Sequence, residues 1–243
     1  MSLLYILCTV LIIAIVLYII HKWLYRKARE YYSQTYWDNR YSYYLKEMDW
    51  YTNFDKINKD FGIIDKINEI FVHGKGIPIH KLKILEMGCG NSTLSIDLYK
   101  HNFQNITAID FSNVIISRMQ EKYSNIKQVK FMCVDFNNLS EHYKENTYDI
   151  IIEKAGLDSI AIKNTPDVPE LLMKVYYQMH KVLKKGGTVF SISSKNTSFW
   201  KSNVFERLQK ENLFELKEVR ISTAIIKENT PPMNVYFFRY EKI

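Results

Sequence analysis

Between Lys83 and Gly90 the chain passes from a short apolar run, Lys-Ile-Leu-Glu-Met, directly into Gly-Cys-Gly-Asn-Ser. That junction limits the fold more than any other stretch. An apolar run of this length, stopped by glycines, reads as a buried strand ending in a tight turn. Gly88 and Gly90 can take backbone conformations closed to other residues, and they let the main chain approach a ligand closely. Asn91 is the expected N-cap of a helix running through Leu94 and Leu98. A strand that feeds a helix through a glycine turn is the opening unit of a parallel α/β sheet.

The unit then recurs. Asn105 to Asp110 reads as the second strand, followed by a helix capped by Ser112 and carrying Val114, Ile115, Ile116 and Met119. Lys130 to Asp135 reads as the third strand. Tyr148 to Lys154 is the fourth, unbroken in its apolar character as expected of a strand covered on both faces. A long helix follows from about Val168 to Leu183, broken by Gly186 and Gly187, and then a fifth strand from Thr188 to Ser193. The tail changes pattern: Leu216 to Ser222 and Asn234 to Tyr240 are strand-like with no helix between them, which requires an antiparallel pair. The expected class is α/β, a Rossmann-like seven-stranded sheet with a C-terminal antiparallel hairpin. At the level of fold this order resembles the Rossmann-like methyltransferases.

The glycine turn alone is weak evidence for any ligand, because small residues pack helices on strands in many proteins. Thr93 stands where a dinucleotide fingerprint has its third glycine, and no Gly-Lys-Ser/Thr follows to make a phosphate loop. Position raises its value. Asp110 lies twenty residues beyond Gly90 at the next strand end, where a carboxylate can accept two hydrogen bonds from a ribose diol. Asp135 and Phe136 fall at the end of the third strand, placed to meet an adenine amino group and cover the base. Taken alone, Asp135 reads equally well as a loop residue capping the next turn. Glu86, just before the glycines, is either a strand-end charge or the acid that orients the loop. Gly88, Gly90, Asp110 and Asp135 in register point together to S-adenosylmethionine.

Ahead of this domain, Leu3 to Ile20 holds eighteen positions without a charge. Such a run approaches the roughly 20 residues a helix needs to cross a bilayer. A signal peptide would carry a positive n-region and a small-residue cleavage site, and neither is present. Lys22, Arg26, Lys27 and Arg29 follow the run, so the positive-inside rule sets the remainder in the cytosol. The expected organisation is a transmembrane anchor over 1–21, a juxtamembrane segment over 22–35 and a catalytic domain over 36–243, a single-pass membrane protein. Three unpaired cysteines, Cys8, Cys89 and Cys133, suit a reducing compartment and are not spaced as a metal clip; no metal is expected. The net charge of +7 permits an acidic partner without selecting one.

The flanks are more specific. Tyr-Trp-Asp-Asn-Arg-Tyr (36–41), Met-Asp-Trp (48–50), Leu-Glu-Met-Gly-Cys-Gly-Asn-Ser-Thr-Leu-Ser (85–95), the helix containing Ser-Arg-Met-Gln (117–120) and Glu-Lys-Ala-Gly-Leu-Asp (153–158) resemble the elongation factor 1-alpha lysine methyltransferases, specifically the lysine methyltransferase 4 and methyltransferase-like 13 branches. The resemblance runs from Tyr36 to the C-terminus. It implies a protein substrate with an acceptor lysine, elongation factor 1-alpha being the model. It also implies cofactor contacts from Trp37, Tyr41 and Trp50 in the N-terminal segment, Gly88 at the methionine moiety, Asp110 and Phe111 at ribose and adenine, Asp135 and Phe136 at the base, and Lys154 after the fourth strand. Ala155-Gly156 departs from the Gly-Thr usual in the family, and the anchor is absent from its soluble members. Glu153 and Asp158, at the mouth of the fourth strand, are the expected catalytic acids that hold the acceptor amine. The run Glu-Lys-Ala-Gly replaces the Asp/Asn-Pro-Pro-aromatic signature of nucleic-acid amino methylation, so no nucleic acid is expected. A membrane-associated lipid or small-molecule methyltransferase and a non-catalytic S-adenosylmethionine-binding adaptor are the competing readings. The oligomeric state is unspecified.

Overall fold

The computed structural model describes residues 9–20, 31–44, 46–163, 165–224 and 231–243. Its strands follow the apolar runs: β1 Lys83–Met87, β2 Asn105–Asp110, β3 Val129–Cys133, β4 Tyr148–Lys154, β5 Leu183–Ser193, β6 Phe214–Ala224 and β7 Met233–Lys242. They form one sheet in the order β3-β2-β1-β4-β5-β7-β6. β1 to β5 pair parallel, and β7 joins antiparallel to both β5 and β6. The order reverses between β1 and β4, and in open α/β sheets ligands bind at that switch, beyond the carboxyl ends of the strands.

Alternation along each strand divides the core into two layers. Ile84, Ile150, Ile152, Phe190 and Phe237 face one side, together with α1 (Gln34–Tyr43), α2 (Phe54–Phe61), α3 (Leu94–Lys100) and α4 (Asn113–Lys122). Leu85, Met87, Ile151, Val189 and Phe238 face the other, beneath α5 (Val168–Val182), which buries Leu172, Val175, Tyr176 and Met179 at helical spacing. α2 shows why the N-terminal segment docks firmly. Asn53 caps it by accepting from Lys56 N at 3.1 Å, Gly62 ends it at φ +64°, and Phe54, Ile57 and Phe61 form its buried stripe.

Four boundaries differ from expectation. β3 stops at Cys133, because Asp135 caps a short turn over Phe136–Asn138 and removes its backbone from the ladder. α3 begins at Leu94, and the Asn91 side chain donates to Lys46 O instead of capping it. Ser112 precedes α4 without capping it, its hydroxyl donating to Asp38 Oδ1. β5 begins at Leu183, so Gly186 and Gly187 lie inside the strand. Gly186, at φ +69°, accommodates an irregularity in the pairing with β4.

Residues 9–20 are helical and their apolar side chains are exposed, Leu11 and Ile12 at 61%. Among the described residues no helix is long and apolar enough to cross a membrane. Residues 1–8 and 21 of the expected anchor and 22–30 of the expected juxtamembrane segment lie outside the described residues.

Candidate functional site

A cavity of about 290 Å³ opens at the carboxyl ends of β1, β2 and β4. Its floor is the glycine turn. Gly88 and Gly90 have φ of +67° and +49°, the left-handed region where a side chain is strained. A Cβ on Gly90 would also lie 2.6 Å from Tyr41 Oη. The sequence requires glycine here for two separate reasons, conformation and clearance.

Asp110 stands at the end of β2, beside the turn. Its Oδ2 accepts from Gly90 N at 3.0 Å and its Oδ1 from Ser112 N at 2.9 Å. A carboxylate offers about four lone-pair positions, so each oxygen retains one. Burial pushes its pKa up to about 6, against the lowering effect of the Ser112, Gly90 and Phe111 amides. Glu86 is buried too, accepts from Ser95 Oγ on α3, and is pushed up to about 7 by burial. The acid before the glycines therefore ties the turn to the helix that follows it.

One wall comes from the N-terminal segment. Trp37 and Tyr41, one turn apart on α1, stack at 5.6 Å, and Trp50 meets Trp37 edge-on at 6.2 Å. Arg40 lies over the Trp50 ring at 5.4 Å and the Tyr44 ring at 4.9 Å. The stretch carrying Trp50 is held down by Lys154, whose ammonium makes an ion pair with Asp49 at 2.6 Å and donates to Thr52 O at 3.2 Å. Asp49 also accepts from Ser92 Oγ. Lys154 thus lines the cavity, and it fastens the aromatic wall to the end of β4.

At the far end stands Asp158, whose Oδ2 accepts from Ser194 N at 2.7 Å, Ser194 Oγ at 2.8 Å and Tyr51 Oη, while Oδ1 accepts from Ser193 Oγ. Tyr51 itself has φ +68°. Glu153 differs from its expected placement. It is fully buried behind the cavity wall, accepts from Ser191 Oγ and from Leu157 N at 3.2 Å, and does not line the cavity. Its strand register explains this: Glu153 pairs with Ser191 and faces the α5 side of the sheet with Ile151. Burial pushes its pKa up to about 8.

The structure therefore gathers Trp37, Tyr41, Trp50, Glu86, Gly88, Gly90, Asp110, Phe111, Phe136, Lys154 and Asp158 around one space. Asp135 stands apart from the lining. Its Oδ1 accepts from the Asn137 backbone and side-chain nitrogens, both at 2.8 Å, which is the capping alternative. Tyr51, Asp49, Ser92 and Ser194 were not expected from the sequence. The only advance signal was Phe-Ser-Ile-Ser-Ser (190–194), which sets hydroxyls on alternate positions of a buried strand, where neighbouring acids need donors.

A family model described as a methyltransferase domain matches residues 80–234. The eEF1A lysine and N-terminal methyltransferase homolog of Drosophila pseudoobscura pseudoobscura is 26% identical over 170 residues, 69% of this chain and 23% of that protein. EEF1A lysine methyltransferase 4 of Mus musculus is 28% identical over 124 residues, 48% of this chain and 48% of that one. The chain thus spans about a quarter to a half of the length of these relatives. Among solved structures, magnesium protoporphyrin IX methyltransferase from Synechocystis PCC 6803 with bound SAM superposes with a TM-score of 0.53 at 13% identity, over 80% of this chain and 86% of that one; this likeness is one of fold.

Proposed function

This chain belongs to the methyltransferase domain family, and from that premise we propose that it is an S-adenosylmethionine-dependent protein-lysine N-methyltransferase with elongation factor 1-alpha or a similar protein as substrate. The observation that carries the donor is Asp110. It is a buried carboxylate with one lone-pair position left on each oxygen, beside a glycine floor that follows β1 at the topological switch. Two remaining acceptor positions suit the two hydroxyls of a ribose, and the absence of Cβ atoms at Gly88 and Gly90 leaves main chain free to approach the donor. The relatives' names supply the acceptor class.

On this reading Asp110 holds the ribose, Phe111 and Phe136 cover the adenine, and Asp135 caps the turn that carries Phe136. Gly88 meets the methionine moiety. Glu86, through Ser95, keeps the turn and α3 in fixed relation. Trp37, Tyr41 and Trp50 exclude water. When bound, the donor supplies a methyl group on a sulfonium, open to in-line attack. The chain's own contribution is alignment of acceptor and donor, which accounts for most of the acceleration in reactions of this type. A lysine acceptor must first lose a proton, since its pKa lies at about 10.4 in water and an ammonium has no lone pair. Asp158 is the carboxyl group at the acceptor end of the cavity. Glu153 is too deep to meet an amine, and its place in the mechanism is support for the loop at Leu157.

We propose in addition that residues 1–21 anchor the protein as a single span with the catalytic domain facing the cytosol. The exposed apolar helix over 9–20 and the basic residues 22–29 support this reading. The same helix favours a second reading, transfer to a lipid or small molecule at the membrane surface. Full-length protein incubated with tritiated S-adenosylmethionine and a fractionated lysate decides between them. Label in protein that acid hydrolysis yields as methyl-lysine is the expected result. Label confined to lipid or RNA would overturn the acceptor assignment.

A further inference from the structure

Among the described residues three acids line the cavity, and they divide between its two ends. Asp110 and Glu86 belong to β2 and β1, whereas Asp158 follows β4, on the other side of β1 from β2. Asp158 accepts from Ser193 Oγ on one oxygen and from Ser194 N, Ser194 Oγ and Tyr51 Oη on the other. Oδ2 carries three of these donors, more than its two lone-pair positions, while Oδ1 carries the one from Ser193, which is itself fully buried. An amine directed at Oδ2 must displace one of its donors. It meets the phenol oxygen of Tyr51, whose own proton points at Asp158.

We infer that Tyr51 is the catalytic residue that receives the acceptor amine, and that Asp158 is a positioning residue acting through it. The inference rests on the amine-acceptor reading above. An N–H of the incoming ammonium donates to the Tyr51 oxygen, whose lone pairs are enriched by the hydrogen bond to a carboxylate. As that proton passes to Tyr51, the Tyr51 proton passes to Asp158. The products of this relay are a neutral amine, a neutral phenol and a protonated carboxyl. The nitrogen lone pair then forms the N–C bond while the S–C bond breaks, its electron pair staying on sulfur. The methylated lysine leaves as its ammonium, and Asp158 returns the one proton it received to water. Burial and the neighbouring Asp158 push the Tyr51 pKa well above its ordinary value, so it relays a proton and does not persist as phenolate. The positive φ of Tyr51 agrees with this role, because strained conformations of bulky residues concentrate at functional sites.

The test uses full-length protein and Tyr51→Phe, which keeps the ring and loses the hydroxyl, with Asp158→Asn as second variant. Three quantities are measured. The first is S-adenosylmethionine affinity by calorimetry. The second is kcat for elongation factor 1-alpha. The third is binding of n-butylamine against n-butanol to the S-adenosylhomocysteine-loaded protein, read by tryptophan fluorescence. Expected for Tyr51→Phe are unchanged cofactor affinity, kcat lowered about 100-fold or more, and loss of an about tenfold preference for the amine over the alcohol seen in wild type. Asp158→Asn should lose the preference in the same way. A Tyr51→Phe variant that keeps the preference and transfers methyl within about threefold of wild type overturns the inference and leaves the methyltransferase reading standing. A wild type that binds no cofactor overturns that reading, and this inference falls with it.

Discussion

Replacing Gly90 with alanine tests the glycine floor through two separable costs. The first is conformational: φ of +49° costs an L-residue about 1–2 kcal/mol relative to glycine. The second is steric. The new Cβ would sit 2.6 Å from Tyr41 Oη and 3.5 Å from its Cζ, and the Tyr41 ring is only 4% exposed and stacked on Trp37. Moving the ring away would break its stacking on Trp37, so overpacking adds about 1–3 kcal/mol. Together the terms predict a loss of about 2–5 kcal/mol. A chain of this size loses about 2–4 °C of melting temperature per kcal/mol, so the shift is about 4–20 °C. Thermal unfolding of four proteins separates the two costs: wild type, Gly90→Ala, Tyr41→Phe and the double variant. Removing the Tyr41 oxygen leaves Cζ at ordinary contact distance. The double variant should therefore regain the steric share and keep the conformational one. A Gly90→Ala protein within about 0.5 kcal/mol of wild type, or a double variant no better than Gly90→Ala, would refute the argument.

Ala155 holds φ +66° where the resembling family has glycine, so Ala155→Gly should stabilise by about 1 kcal/mol in denaturant unfolding, strain relief exceeding the entropic cost. Lys154→Met leaves Asp49 without its cation and frees the Trp50 stretch; unfolding free energy should fall by about 3 kcal/mol, and cofactor affinity should drop with it. Glu153 has a folded pKa near 8 against an ordinary value of 4.5, so the folded state binds the extra proton. The stability this provides is complete below about pH 4.5 and is lost as pH rises towards 8. Glu153→Gln, which preserves the shape and can still bond Ser191 and Leu157 N, should flatten that slope and exceed wild type in stability at pH 8. An unchanged pH profile would show that Glu153 is ionised when folded.

The sheet was legible in the sequence because five buried strands must be apolar on both faces, and such runs stand out between glycine turns and amphipathic helices. The residues on the strand ends were legible for the same reason, their positions being set by the strands: Glu86, Gly88, Gly90, Asp110 and Lys154 all line the cavity. Asp135 and Glu153 show where that logic stops. One residue of register decides whether a strand-end acid faces the ligand or the opposite layer, and two residues of strand length decide whether an aspartate reaches a base or caps a turn. Tyr51, Asp49 and Ser92 were invisible because their partners lie 107, 105 and 43 residues away in sequence. No periodicity marks a side chain whose role is set by a contact of that range. Asn91 and Ser112 carry the signature of N-caps, yet both spend their side chains on the N-terminal segment, a tertiary competitor that local capping rules do not see.

The cavity between the glycine turn and Asp110 is the proposed binding site of the methyl donor. Titration calorimetry of S-adenosylmethionine into the full-length protein and into Asp110→Asn tests it directly, with circular dichroism confirming that the variant is folded. The expected result is one site per chain and an affinity weakened about 100-fold in the variant, the consequence of losing charge-assisted bonds to a ribose diol worth about 3 kcal/mol. Equal affinity in the two proteins, or no binding by the wild type, would contradict it.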